Sequence, residues 1–178
     1  MIARFRHMLA RFRGEDKGTA SVEFVLVFPV FLSLMLMSIE LGFVTLRHTL
    51  LERGLDMAVR DIRLGTGTAP QHDQIKQMVC DYAGFIKNCD QNLRLEMSPT
   101  DLRAYSGLDS TPDCTDKAEP TKPLRGFKHG TQNQLMLLRA CYRYEPFFPD
   151  DFLGKALVQD SSGQASIVSM TAFVQEPF

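Results

Sequence analysis

Hydrophobic and polar positions divide the chain into two unlike halves. Phe24–Ile39 is apolar throughout, interrupted only by Ser33 and Ser38. With Ala20–Val22 ahead of it and Leu41–Leu46 behind, the segment exceeds the ~20 residues a helix needs to cross a bilayer. From Leu51 the pattern changes to a stripe: Leu51, Leu55, Ala58 and Ile62 step by four, three and four, as one face of an α-helix does. Gly65-Thr66-Gly67-Thr68-Ala69-Pro70 is a stop signal. One helix over residues 19–64 is therefore predicted, roughly 70 Å long at 1.5 Å per residue. Its first half suits lipid and its second half suits a water-soluble head. Pro29 falls inside the spanning part, removes a helical hydrogen bond and predicts a kink.

Beyond the stop, Ile75, Met78, Tyr82 and Phe85 recur at helical spacing, which predicts an amphipathic helix over 70–87. Asn92–Met97 alternates, with Leu93, Leu95 and Met97 on one side, and predicts a strand. Residues 106–132, rich in glycine, proline and polar side chains, read as a long surface loop. Gln134–Tyr144 is nearly continuous in apolar residues and reads as the central strand. Pro146–Gly154 reads as turns, and Ala165–Gln175 alternates as a last strand. The fold class is α+β: a long N-terminal helix running into a small head with a second helix and a short antiparallel sheet.

Composition adds direction to this layout. The chain has 178 residues, room for one domain plus one spanning helix, and a net charge of −1. That charge is uneven. Residues 1–18 carry Arg4, Arg6, Arg11, Arg13 and Lys17 against Glu15 and Asp16, a net of +3. A basic flank on one side of a single apolar helix predicts a cytoplasmic leader and a head across the membrane. Three parts follow: a leader over 1–18, the helix over 19–64, and a periplasmic head over 65–178. No basic tract interleaved with aromatics follows the leader, which argues against nucleic-acid binding.

All four cysteines, Cys80, Cys89, Cys114 and Cys141, fall in the head, where an oxidising compartment would let disulfides persist. Three pairings are possible. Cys80 at the end of the second helix and Cys89 just past it can meet across a tight return. That favours Cys80–Cys89 and leaves Cys114 to pin the loop to Cys141. The intervening lengths of 8, 24 and 26 residues lack the short Cys-x2-4-Cys spacing of zinc sites. His7, His48, His72 and His129 form no metal-binding pattern, and Asp150-Asp151 reads as a solvated cap. No phosphate-cradling glycine loop, nucleophile elbow or Cys/His couple is present. The expectation is a protein that is not an enzyme and has no cofactor, metal or small-molecule substrate.

Two carboxylates bracket the apolar run. Glu40, at its outer boundary, reads as an interfacial group in contact with water. Glu23 stands at the inner end, where a charge costs free energy that a plain anchor has no reason to bear. It lies within Lys17-Gly18-Thr19-Ala20-Ser21-Val22-Glu23-Phe24, a glycine followed at the fifth position by glutamate. This stretch resembles the processing site of type IV pilins and pseudopilins. Ser21-Val22-Glu23-Phe24, Pro29 and Glu40-Leu41-Gly42 together look like the TadE/TadF pseudopilins of the tight-adherence (Tad, Flp-type) pilus system. The C-terminal Glu176-Pro177-Phe178 also looks like the tail of many TadE-like chains. Tad pilins often carry tyrosine after the glutamate; this chain has Phe24.

The resemblance implies cleavage by a prepilin peptidase between Gly18 and Thr19, with Glu23 as mature residue five. It implies that Glu23 meets an N-terminal amine, its own or a neighbour's, during assembly. Its implied partners are other pilus subunits, the peptidase and inner-membrane lipid. The chain would then be a minor subunit of an adhesive pilus, since Flp-type major pilins are far shorter and lack a sizeable head. Two other readings compete: an unprocessed single-pass scaffold of the pilus machine, and a signal-anchored periplasmic binding domain.

Overall fold

The computed structural model describes residues 19–64, 70–101, 103, 108–115, 123, 126–158 and 162–176. Helix α1 spans Thr19–Leu64, 46 residues without a break. It continues through Pro29, where the Ser33 hydroxyl donates back to the Pro29 carbonyl at 2.5 Å. The hydroxyls of Ser38, Thr45 and Thr49 likewise donate to the carbonyl one turn earlier. Such local bonds satisfy a hydroxyl without water. The stripe Leu51, Leu55, Ala58 and Ile62 is buried, whereas the apolar residues from Val22 to Ile39 are largely exposed.

Helix α2, His72–Ala83, packs against the outer half of α1. It is shorter than the periodicity predicts. Gln71 and Gln74 form a capping box at its start, and Gly84, at φ 64°, ends it. That left-handed turn costs glycine least. The buried stripe is Ile75, Val79 and Ala83, and not the Tyr82 and Phe85 positions expected; Phe85, beyond the turn, is 90% exposed. Tyr82 instead lies at the surface and donates its hydroxyl to Asp61 of α1. The two helices approach closely at Gly54, where an added Cβ would lie 2.6 Å from the Val79 carbonyl oxygen.

A one-turn helix, α3 (Cys89–Asn92), leads into β1 (Leu93–Pro99), followed by β2 (Leu135–Tyr144), the short helix α4 (Phe152–Leu157) and β3 (Ala165–Val174). The strands form one antiparallel sheet in the order β1-β2-β3. Helices α3 and α4 are absent from the sequence expectation, because one or two turns carry too little periodicity to register. Ile167 and Phe173 of β3 turn to the core shared with α1 and α2.

The other face of β1 and β2 is polar yet buried. Arg139 donates to Glu96 at 2.7 Å and to the Asp109 carbonyl at 2.6 Å. Arg94 pairs with Asp113 at 2.7 Å, and the Asp113 amide donates to Glu96. Residues 108–115 therefore lie folded over the sheet, which corrects the reading of this stretch as a plain surface loop. The Cys114–Cys141 disulfide fixes them there, and Cys80–Cys89 joins the end of α2 to α3.

Gly54→Ala should lower the melting temperature of the full chain in detergent, although alanine is the better helix former. The new methyl must displace Val79 and Ala83, and overpacking of this kind costs about 1–3 kcal/mol. An unchanged or raised melting temperature would show that α1 and α2 do not touch at Gly54.

Candidate functional site: the apolar helix and its junction with the head

The apolar half of α1 offers a surface rather than a pocket. Val22, Phe24, Val25, Leu26, Val27, Val30, Phe31 and Leu34 are all more than half exposed, and no part of the described head covers them. Glu23 is exposed among them and shares one side of the helix with Ala20, Phe24, Val27, Phe28 and Phe31. Phe24 and Phe28 stack at 4.9 Å. Of the expected processing residues, Thr19 begins the helix, Glu23 follows one turn later with Phe24, and Gly18 lies outside the described residues.

The junction differs from expectation. Glu40 is 0% exposed, so it is not a hydrated interfacial carboxylate. The segment following β2 folds down over it. The amides of Phe147 and Phe148 both donate to Glu40 Oε2, at 2.8 and 3.0 Å. Phe147 stacks on Phe43 of α1 with ring centres 4.8 Å apart and planes within 7°. Arg47, two turns beyond Glu40, reaches back to place Nη1 4.0 Å from Glu40 Oε1. Its guanidinium carbon lies 4.6 Å from the centre of the Tyr144 ring. Burial raises the pKa of the Tyr142 and Tyr144 phenols despite the opposing charge of Arg47. Both rings therefore stay neutral at ordinary pH.

Helix α4 supports this arrangement. Asp151 stands at its N-cap, and Gly154 passes so close to the loop that an added Cβ would lie 2.0 Å from the Phe148 carbonyl oxygen. Two charges and two backbone amides thus hold the head to the helix where the apolar run ends. The carboxylate gains two charge-assisted hydrogen bonds that replace hydration. Sequence reasoning missed this role because the amides lie more than a hundred residues from Glu40. The available signals were the paired aromatics Phe147-Phe148 between two prolines and an acidic residue ending an apolar run. Among the described residues, no group of three or more His, Cys, Asp or Glu is arranged to hold a metal ion.

Residues 18–60 match the family model of TadE-like protein. The match covers the apolar half of α1, both carboxylates and the first turns of the buried stripe. The N-terminal helix is therefore TadE-like, and the match associates the chain with assembly of the Tad pilus. Nothing among curated proteins or solved structures matches the chain.

Glu40→Ala should loosen the junction while leaving the sheet intact. Two buried amides lose their acceptor, at a cost of about 1–3 kcal/mol for each unsatisfied group. Hydrogen exchange should accelerate at Phe147 and Phe148 by at least ~10-fold and stay unchanged in β2. Glu40→Gln, which keeps an acceptor oxygen, should show a smaller effect. Equal protection in all three proteins would mean that the carboxylate does not hold the loop.

Proposed function

We propose that this chain is a membrane-anchored pseudopilin, made as a precursor, cut after Gly18 by a prepilin peptidase and used as a minor subunit in Tad pilus biogenesis. One observation carries the reading: the TadE-like match falls wholly within α1 apart from Gly18, and half of that helix presents unshielded apolar side chains. A helix of this kind is stable only in lipid or against other helices. A pseudopilin needs both environments in turn, the membrane before assembly and neighbouring subunits afterwards.

In this reading residues 1–18 form the cytoplasmic leader, α1 crosses the inner membrane, and the head from residue 65 onward lies in the periplasm. The basic leader and the two disulfides support that orientation, since disulfides persist in oxidising compartments. The head serves as structure and contact surface. Its buried charges serve packing in this reading: Arg94, Asp113, Glu96 and Arg139 are engaged with one another and with backbone.

Cleavage would create a charged amine on Thr19, one helical turn before Glu23. A carboxylate in the first turn also interacts favourably with the helix dipole. The exposure of Glu23 leaves it available to the amine of its own chain or of a neighbour. Once such a pair is buried between apolar helices, an unpaired partner is strongly penalised, which favours one register between subunits.

Two outcomes test this reading. Glu23→Ala should insert into the membrane at normal abundance, yet co-purify with other pilus subunits at least ~10-fold less, corresponding to about 1.4 kcal/mol or more of lost pairing. Unchanged co-purification and piliation would remove the assembly role and favour a plain anchor. Thiol reagents applied to the intact native protein should label the cysteines only after reduction. Four thiols reactive without reductant would contradict a head in the periplasm.

A further inference from the structure

The outer end of the membrane helix is not simply overhung by the head. Between them lies a cavity of about 580 Å³, within the size range of small-ligand sites. Its walls come from α1 through Phe43 and Arg47, from the turn after α2 through Phe85 and Lys87, and from the end of β2 and its loop through Tyr144 and Phe147.

Depth is set by the helix itself. Residues 20–39 rise ~30 Å, the thickness of the hydrocarbon layer. Glu40 then marks the outer boundary, and Phe43 stands one turn above it. Arg47 points back toward the membrane, as its approach to Glu40 shows. The α1 side of the cavity therefore begins about one turn above the hydrocarbon boundary, at Phe43, and includes Leu46, which is 52% exposed. Phe85, 90% exposed, and Phe147, 56% exposed, line it with apolar rings that the head leaves uncovered.

Its charged groups have capacity left over. The Arg47 guanidinium is four-fifths buried and held over Tyr144, but donates no hydrogen bond to any described residue. Its contact with Glu40 is 4.0 Å, and Oε2 of that carboxylate already accepts two amides. A guanidinium has five N–H donors in a planar fork suited to phosphate oxygens. Lys87 supplies a second cation and forms no ion pair with a described residue. Glu145 also lines the cavity, on the same loop as Phe147.

We propose that this cavity binds one phospholipid of the surrounding leaflet, with its phosphodiester against Arg47 and Lys87 and an acyl chain running down the exposed apolar side of α1. The inference rests on the reading that α1 spans the membrane. The bound lipid supplies the acceptors that Arg47 lacks and fills the gap beneath the head. It also couples the height of the head to the headgroup plane, so that withdrawal of the subunit from the membrane requires this lipid to be released.

The chain contains no tryptophan, so a single introduced one reports alone. Phe85→Trp, at an exposed position, places it at the mouth of the cavity. The full chain is reconstituted in vesicles containing either a phospholipid with brominated acyl chains or a brominated diacylglycerol, which lacks the phosphodiester, at equal bromine content. Quenching by the brominated phospholipid should be at least ~3-fold stronger, as expected where charge-assisted bonds to the phosphodiester raise occupancy. The excess should fall in Lys87→Gln and vanish when Arg47→Gln is added.

Equal quenching by the two lipids, or an excess that survives both substitutions, would overturn the proposal. So would displacement of the quenching by glycerol phosphate in the buffer, which would identify a soluble anion as the ligand. Phe31→Trp, on the apolar helix, separates the remaining cases. If it is quenched while Phe85→Trp is silent, a neighbouring protein rather than lipid fills the cavity. If neither is quenched, the spanning assignment of α1 fails, and the lipid site with it.

Discussion

A carboxylate with no exposure to solvent, midway along α1 where its apolar run ends, constrains much of this molecule. Glu40 cannot be buried as a charge unless donors are brought to it, and the donors are the amides of Phe147 and Phe148. The loop after β2 must therefore descend to the helix. Once there, Phe147 stacks on Phe43, Arg47 settles over Tyr144, and α4 closes behind the loop at Gly154. Through this chain of contacts the sheet is tied to the membrane end of α1 as well as to its outer half. A head attached only by the stripe at Leu51–Ile62 would be free to rock at its lower edge; one attached also at Glu40 is not. In the proposed role, where the subunit leaves lipid and joins a filament, such a connection lets force on the helix move the head with it.

A second set of buried charges acts within the head. Arg139 and Glu96, with Arg94 and Asp113, sit between the sheet and residues 108–115. Buried ion pairs of this kind add little net stability over apolar packing, but losing one partner is costly. They fix which loop covers the sheet, and the Cys114–Cys141 bridge limits the ways that loop can leave it. The head is thereby specified by polar complementarity on one face of the sheet and by apolar packing on the other.

Much of the architecture is legible in the sequence, for physical reasons that also mark the limits. The apolar run and the stripe from Leu51 are long periodic signals, and they define α1 to its ends. Alternation identifies β1 and β3, and the continuous apolar run of β2 reflects a central strand. Tyr82 and Phe85 fit helical spacing and so carry the expected end of α2 past Gly84, whose conformational freedom ends the helix first. The fates of Glu40, Arg94, Glu96 and Arg139 were not legible. A charge on a helix or strand looks the same whether it meets water or a partner 43 or 107 residues away. For the candidate site, the residues at the inner end of the helix follow from a local motif, whereas the junction and the cavity beside it exist only through long-range contacts.

The proposed function requires that α1 begin a mature subunit at Thr19 rather than continue from a retained leader. The most direct measurement is the N-terminal residue of the protein isolated from native membranes of cells that make the prepilin peptidase. The expected result is a chain beginning at Thr19, and the full precursor in cells lacking that peptidase. A chain that still begins at Met1 when the peptidase is present would contradict it, leaving an unprocessed anchor with the same fold.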